Sequence, residues 1–279
     1  MPPTVLVLSA IASVQFGAAV AKGLFDEVGV GGTVFLRVIF AAVVLMALWR
    51  PRWGGRSREQ LLLVASFGLV LAAMNLCFYA SLDRIPLGVA VTFEFVGPLG
   101  VAVAGSRTAL DLVWVALAAL GILLLSDFGT SDLDALGVVL AFTAGGLWAA
   151  YILLSARVGR AFERGDGLAL AMVVGSVVLV PVGVADGGAD LLIPWVLVAA
   201  AAVAILSSAI PYALEMEALR RMPTGVFGVM MSLEPAVAAL AGFVLLGEEL
   251  ASQELVAIGF VVAASAGASR ETRVAPRDA

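Results

Sequence analysis

Histidine is missing from this sequence, and cysteine and lysine occur once each, as Cys77 and Lys22. Without histidine there is no imidazole metal site, no serine–histidine nucleophile pair and no imidazole proton relay. A single cysteine excludes an intrachain disulfide and a cysteine-ligated zinc site, and leaves the compartment unread from pairing. Charge is scarce too: 13% of the 279 residues are charged, against about 25% in an ordinary soluble domain. A water-soluble fold of this length would lack the polar surface to cover itself. There is no G-x-x-x-x-G-K-[ST] phosphate loop, so ATP-driven pumping has no support within the chain. Nothing calls for a cofactor, a metal ion or a nucleic-acid partner. The opening "MPPTVLVLSA" lacks a basic n-region, so the first apolar segment is expected to remain as a span rather than be cleaved.

What is present is apolar sequence, 62% of the chain. A span needs about 20 mostly apolar residues, and the apolar windows predict ten, at roughly 5–24, 32–49, 60–81, 87–105, 110–126, 134–156, 167–185, 194–217, 224–246 and 252–269. The connections are short and carry Gly, Pro or charge, which leaves no room for a soluble domain. The bilayer is therefore an expected partner. Alternate connections hold 13 of the 16 basic residues: 50–59, Arg107, 157–166, Arg220 with Arg221, and the tail. The other set holds Lys22 and Arg84, and "SDFGTSDLD" (126–134), "ADGGAD" (185–190) and "GEEL" (247–250) carry acids alone. Under the positive-inside rule both termini are expected in the cytoplasm.

A repeat is legible within this pattern. "RIPLGV" (84–89) and "RMPTGV" (221–226) share Arg, Pro, Gly and Val at an offset of 137, which also maps Pro98 onto Pro235, Leu82 onto Leu219 and Asn75 onto Tyr212. At an offset of 132, small residues recur every fourth position at Ser9, Ser13, Gly17 and Ala21, and again at Ala141, Gly145 and Ala149, with Gly137 one turn earlier and Phe16 matching Trp148. Such stripes let helix backbones approach closely in lipid. Five spans per repeat, an odd number, would set the halves in opposite orientations. The expected fold is an all-α polytopic membrane protein of ten transmembrane helices in two inverted five-helix repeats, residues 1–130 and 131–279, the second with a short cytoplasmic tail. Inverted repeats with a midplane site characterise secondary transporters.

Polar residues inside the spans are the candidate site. Glu94 falls roughly 10 Å into span 4 and Glu234 about 16 Å from the inner end of span 9. They are not symmetry mates, since the offset puts Glu94 on Met231 and Glu234 on Gly97, but three positions is nearly a helical turn. A charge at a span centre costs about 2.5–3.5 kcal/mol on insertion scales. Binding a proton removes that cost, which makes Glu94 and Glu234 the proton-coupling candidates. Glu234 stands next to Pro235 and Glu94 precedes Pro98 by four residues, and freed backbone carbonyls are expected to add polar ligands. Arg37, at the level of Glu94, either pairs with it or snorkels to the outer interface. Lys22 either snorkels or meets a substrate carboxylate. Gln15, Asn75, Tyr79, Trp148, Tyr151, Ser208 and Tyr212 are further candidate substrate contacts, and Ser207 is a polar group of the same stretch. Glu215 could line an inner vestibule, while Glu217 is spaced to pair with Arg220 or Arg221. An intramembrane enzyme is the rival class, but the acids of "SDFGTSDLD" are spread along an outer connection rather than clustered for a metal.

The segments "ASVQFGAAVAKGLFDEVG" (12–29), "MNLCFYASLDRIPLGVAVTFEFVGPLGVAV" (74–103), "GLWAAYILLS" (146–155) and "AILSSAIPYALEMEALRRMPTGVFGVMMSLEPAVAALAG" (204–242) resemble the drug/metabolite transporter superfamily. More closely they resemble its EamA-type exporters of threonine and homoserine from bacterial inner membranes. "LEP" followed by "GEEL" is widespread in the superfamily, whereas "VTFEFVGPL" and "IPYALEMEAL" are more characteristic of the amino-acid exporter branch. The resemblance implies ten helices in two inverted repeats, alternating access, and efflux of a small amino acid against an incoming proton. Other branches take other metabolites or cationic drugs. It assigns no separate role to Glu94, Glu234 or Lys22, and the sequence sets no oligomeric state.

Overall fold

A computed structural model describes residues 1–52, 54–85, 87–125, 133–241 and 252–274, apart from the side chains of 15–23, 87, 88, 125, 238–241, 252, 254 and 269–274. Most of the "SDFGTSDLD" run, the "GEEL" run and the end of the tail fall outside these residues. The described chain is helical throughout: α1 (Pro3–Trp49), α2 (Arg58–Leu82), α3 (Leu87–Glu94), α4 (Val96–Gly105), α5 (Ala109–Leu125), α6 (Ala135–Ala161), α7 (Asp166–Gly187), α8 (Pro194–Ala204), α9 (Ile210–Leu219), α10 (Thr224–Met231), α11 (Leu233–Ala241) and α12 (Ser252–Val274). A 3₁₀ turn (Gly188–Leu192) joins α7 to α8, and a π turn (Ile205–Ala209) joins α8 to α9.

Among the described residues, five helical stretches are long and apolar enough to cross a bilayer: Leu24–Trp49, Arg58–Leu82, Ala135–Ala161, Asp166–Leu192 and Pro194–Leu219. Shorter apolar helices accompany them. Large apolar side chains such as Leu48, Val177 and Val198 are fully on the outside, while polar side chains such as Arg37, Asn75, Ser208 and Glu215 are buried. That distribution suits a lipid exterior, and the protein is a multi-pass membrane protein.

The connector expected near 25–31 is absent as a loop. Helix α1 runs on through it and breaks only at Gly29, whose φ of 67° and ψ of −179° lie in a region that glycine alone enters freely. Forty-seven residues at 1.5 Å each would reach about 70 Å, more than twice a bilayer core, so a break is required. It orphans the first N–H groups of the second segment. Asp186 of α7 supplies the missing acceptor, taking the Gly31 N–H at 2.8 Å, and Thr33 Oγ1 donates to the Gly29 carbonyl at 2.8 Å. Asp186, read from sequence as one acid of an outer connection, is thus a cap on a helix 155 residues away.

Two other interruptions form a pair. Phe95 separates α3 from α4 and Ser232 separates α10 from α11, 137 positions apart and each three residues before a proline. Pro98 cannot donate to the Glu94 carbonyl. That carbonyl abuts Gly145 of α6, where a Cβ would lie 2.7 Å from it. Here the second small-residue stripe seats α6 directly on the α3–α4 backbone: a Cβ on Gly97 would fall 2.0 Å from the Gly145 carbonyl. Around this contact, α2 packs on α6 and α7, the second half of α1 on α7, α4 on α10, and α5 on α12.

The Gly97 contact predicts that Gly97→Val destabilises strongly, since no side-chain movement can relieve a clash with backbone. Overpacking typically costs about 1–3 kcal/mol. Gly100→Ala, whose Cβ would meet nothing within 4 Å, should leave the melting temperature in detergent unchanged.

Candidate functional site

The packing of α1, α2, α3, α6, α9 and α11 leaves a cavity of about 740 Å³ among the described residues. Glu94, Glu234, Arg37, Asn75, Tyr79, Trp148, Tyr212 and Glu215 all line it, together with Ser207 of the π turn. It reaches the surface at Asp26 and Asp83, both exposed. These two acids were missed in the sequence. Asp26 lay in what reads as a connector, and Asp83 stands beside Arg84 at the end of α2, where a solvated charge is unremarkable.

Arg37 organises the chamber. It is buried at 8% exposure, so it does not snorkel to an interface. Nor does it pair with Glu94: no carboxylate lies within 4 Å of it among the described residues. Instead Nε donates to Ser208 Oγ at 2.6 Å, Nη1 to Tyr79 OH at 2.5 Å, and Nη2 to the Ser207 carbonyl at 2.7 Å and to Tyr212 OH at 3.4 Å. The guanidinium also lies over the Tyr79 ring, 5.4 Å from its centroid. Both expectations for Arg37 overlooked neutral oxygen acceptors. The π turn provides one of them: the Ile210 N–H goes to the Ile205 carbonyl and Pro211 has no N–H to give, so the Ser207 carbonyl takes Arg37 and the Leu206 carbonyl takes Ser13 Oγ at 2.6 Å.

The carboxylates are arranged around this cation without touching it. Glu94, Glu215 and Glu234 lie within electrostatic range of Arg37, and Glu94 and Glu234 of each other. Glu215 is buried and accepts from Tyr151 OH at 2.8 Å. Tyr151, fully buried, stacks on Phe67 and stands behind the wall rather than in it. Ser208 likewise acts through Arg37 and does not line the cavity. Asn75 and Tyr212, matched in the repeat, meet directly: Asn75 Nδ2 donates to Tyr212 OH at 3.1 Å. Trp148 sets its ring edge-on to Phe95 at 5.0 Å. The side chains of Gln15 and Lys22 lie outside the described residues.

At the arginine-rich end the helices are tied shut. Arg220 donates to the carbonyls of Gly159 at 2.6 Å and Phe162 at 3.0 Å, to that of Arg164, and to Glu217 at 2.9 Å. Glu217 also pairs with Arg221. Arg56 bridges to Asp166 at 3.0 Å and covers the Phe162 ring at 4.8 Å. None of the residues in these ties lines the cavity, whose exposed lining residues include Asp26 and Asp83.

A lipid-facing helical body around a charged chamber open at one end is the build of a membrane transporter. The model of the EamA-like transporter family matches residues 135–270. The threonine/homoserine exporter RhtA of Escherichia coli strain K12 is 43% identical over 275 residues, 97% of this chain and 92% of that protein. RhtA of Salmonella typhimurium strain LT2 is 42% identical over 280 residues, 99% and 94%. A crystal structure of another protein superposes with a TM-score of 0.81 over 97% of both chains at 16% identity, a likeness of fold alone. The chain belongs to the EamA-like transporter family, and it is a transporter rather than an enzyme.

Tyr151→Phe is expected to strand the buried Glu215 carboxyl without its hydroxyl donor. The cost should be about 1–3 kcal/mol, seen as a lowered melting temperature of the purified protein.

Proposed function

We propose that the protein exports small amino acids of the threonine and homoserine kind across the bacterial cytoplasmic (inner) membrane, by proton antiport with alternating access. The carrying observation is the chamber itself: three glutamates and one arginine, with Asp26 and Asp83 at the mouth, in a chain 43% identical to threonine/homoserine exporters. A zwitterion offers an ammonium for the carboxylates and a carboxylate for a cation. Coupling arises where an α-ammonium and a proton compete for the same carboxylate, Glu94 or Glu234.

The proposed frame is ten transmembrane helices in two inverted five-helix repeats, 1–130 and 131–279, with both termini cytoplasmic. Supporting it are the paired interruptions at Phe95 and Ser232, the direct Asn75–Tyr212 bond across the 137 offset, and the packing of α5 on α12 and of the second half of α1 on α7. Each of these matches or joins segments that the proposed repeat pairs. The bias of arginine to one end puts the tied end in the cytoplasm, so this conformation is open outward. Gln15, Lys22, Arg37, Asn75, Tyr79, Trp148, Tyr151, Ser208, Tyr212 and Glu215 remain the proposed substrate-binding set, Tyr151 and Ser208 as supports for it. The excess of carboxylates over cations in the chamber favours one second reading, a cationic drug or metabolite as cargo.

Reconstitution in liposomes holding an internal pH dye tests the proposal. Threonine or homoserine should drive protein-dependent proton movement, and Glu94→Gln should remove it. Labelled threonine that equilibrates without moving protons would make the protein an uncoupled carrier. A pH-driven flux that Glu94→Gln leaves whole would take Glu94 out of the mechanism.

A further inference from the structure

Ser207 is 3% exposed, lines the cavity, and its hydroxyl has no hydrogen-bond partner among the described residues. A buried hydroxyl without a partner costs about 1–3 kcal/mol, so in a chamber wall it marks a place where another polar group belongs. Ser207 is also joined to Arg37, because its carbonyl takes Arg37 Nη2 at 2.7 Å. A guanidinium has five N–H donors. Among the described residues four are engaged, on Nε, Nη1 and twice on Nη2, which leaves one on Nη1 unassigned there. An unused cationic N–H and an unused O–H thus stand in neighbouring parts of one wall. Among the described residues every bond that Arg37 makes is to a neutral oxygen, so its positive charge is solvated there but not neutralised.

We propose that the Arg37 guanidinium and the Ser207 hydroxyl together form the receptor for the α-carboxylate of the substrate. Arg37 donates its remaining Nη1–H to one carboxylate oxygen and Ser207 donates its O–H to the group. The anion gives Arg37 the counter-charge that the chamber's own carboxylates, placed beyond 4 Å, do not supply. The ammonium then lies toward Glu94 and Glu234. Tyr79 and Ser208 are positioning residues, holding the guanidinium plane by the bonds to Nη1 and Nε. This reading rests on the cargo being an amino acid, and it makes Ser207 a determinant of which amino compounds are accepted.

The test is isothermal calorimetry on the purified full-length protein with two probes, L-threonine and L-threoninamide, which keeps the ammonium and the side chain but has no carboxylate. The wild type should bind threonine in clear preference to the amide. Ser207→Ala should weaken threonine about tenfold and leave threoninamide unchanged, so the preference collapses; Ser207→Cys, a weaker donor, should restore part of it. Because the hydroxyl has no internal partner, the substrate-free Ser207→Ala protein should melt no lower than the wild type, which separates this role from a structural one. Arg37→Lys, which keeps the charge but not the fork, should lose the same preference. If Ser207→Ala keeps its full preference for threonine, or loses both probes equally, the receptor is elsewhere (Lys22 being the other cation of the spans) and the inference falls alone. If the wild type binds neither threonine nor homoserine, the inference falls together with the amino-acid reading.

Discussion

A guanidinium keeps its proton wherever a protein puts it, and burying one inside a membrane body commits its surroundings. Arg37 cannot be neutralised, so its donors must be met by oxygens brought from elsewhere in the chain. They come from α2 through Tyr79, from the π turn through Ser207 and Ser208, and from α9 through Tyr212. One side chain of α1 therefore pins three other segments in register. The Ser207 carbonyl is available to meet this demand because residue 211, its partner in an α ladder, is a proline without an N–H. The Asn75–Tyr212 bond continues the network across the chamber, so the walls are linked through polar groups rather than held by apolar packing alone.

The carboxylates depend on a different device. Glu94 reaches the chamber because α3 and α4 press their backbone onto α6, and they can do so because Gly97 and Gly145 present no side chains. In lipid, where apolar surfaces gain nothing by meeting each other, such close backbone approach is what holds helices together. The same economy applies at the bend of α1. Gly29 turns the chain and Asp186 caps the orphaned amide, so α7 is fastened to the bend that brings Phe25 and Asp26 to the chamber mouth.

Much of this was legible in the sequence because lipid imposes a simple code. Apolar runs, arginine bias and the 137 offset are one-dimensional signals, as is the rarity of polar residues in spans. They gathered Glu94, Glu234, Asn75, Trp148 and Tyr212 as one group, and the folded chain puts all five around one cavity. What escaped was set by partners far along the chain. Nothing at Asp186 announces a cap for Gly31. Arg37 was expected to seek a carboxylate or water, because hydroxyl and backbone acceptors 42 to 175 positions away leave no local trace. Ser207 looked like its neighbour Ser208, and only the folded chain separates the hydroxyl that supports Arg37 from the one that has no partner. The bend at Gly29 was hidden because a glycine within apolar sequence reads equally as a small packing residue.

The π turn also sets the angular phase of everything that follows it. Such a turn holds one residue more than an α turn, so the same residues wound as plain α-helix would swing the following side chains by roughly 100° around the axis, the angle of one residue. Tyr212 and Glu215 both lie beyond Ala209. Relaxing the turn would carry the hydroxyl that meets Asn75 and the carboxyl that meets Tyr151 off the chamber wall together. A change of one hydrogen-bond step in the backbone is thus geared to the facing of two chamber groups on the helix that leads to the Glu217–Arg220 ties.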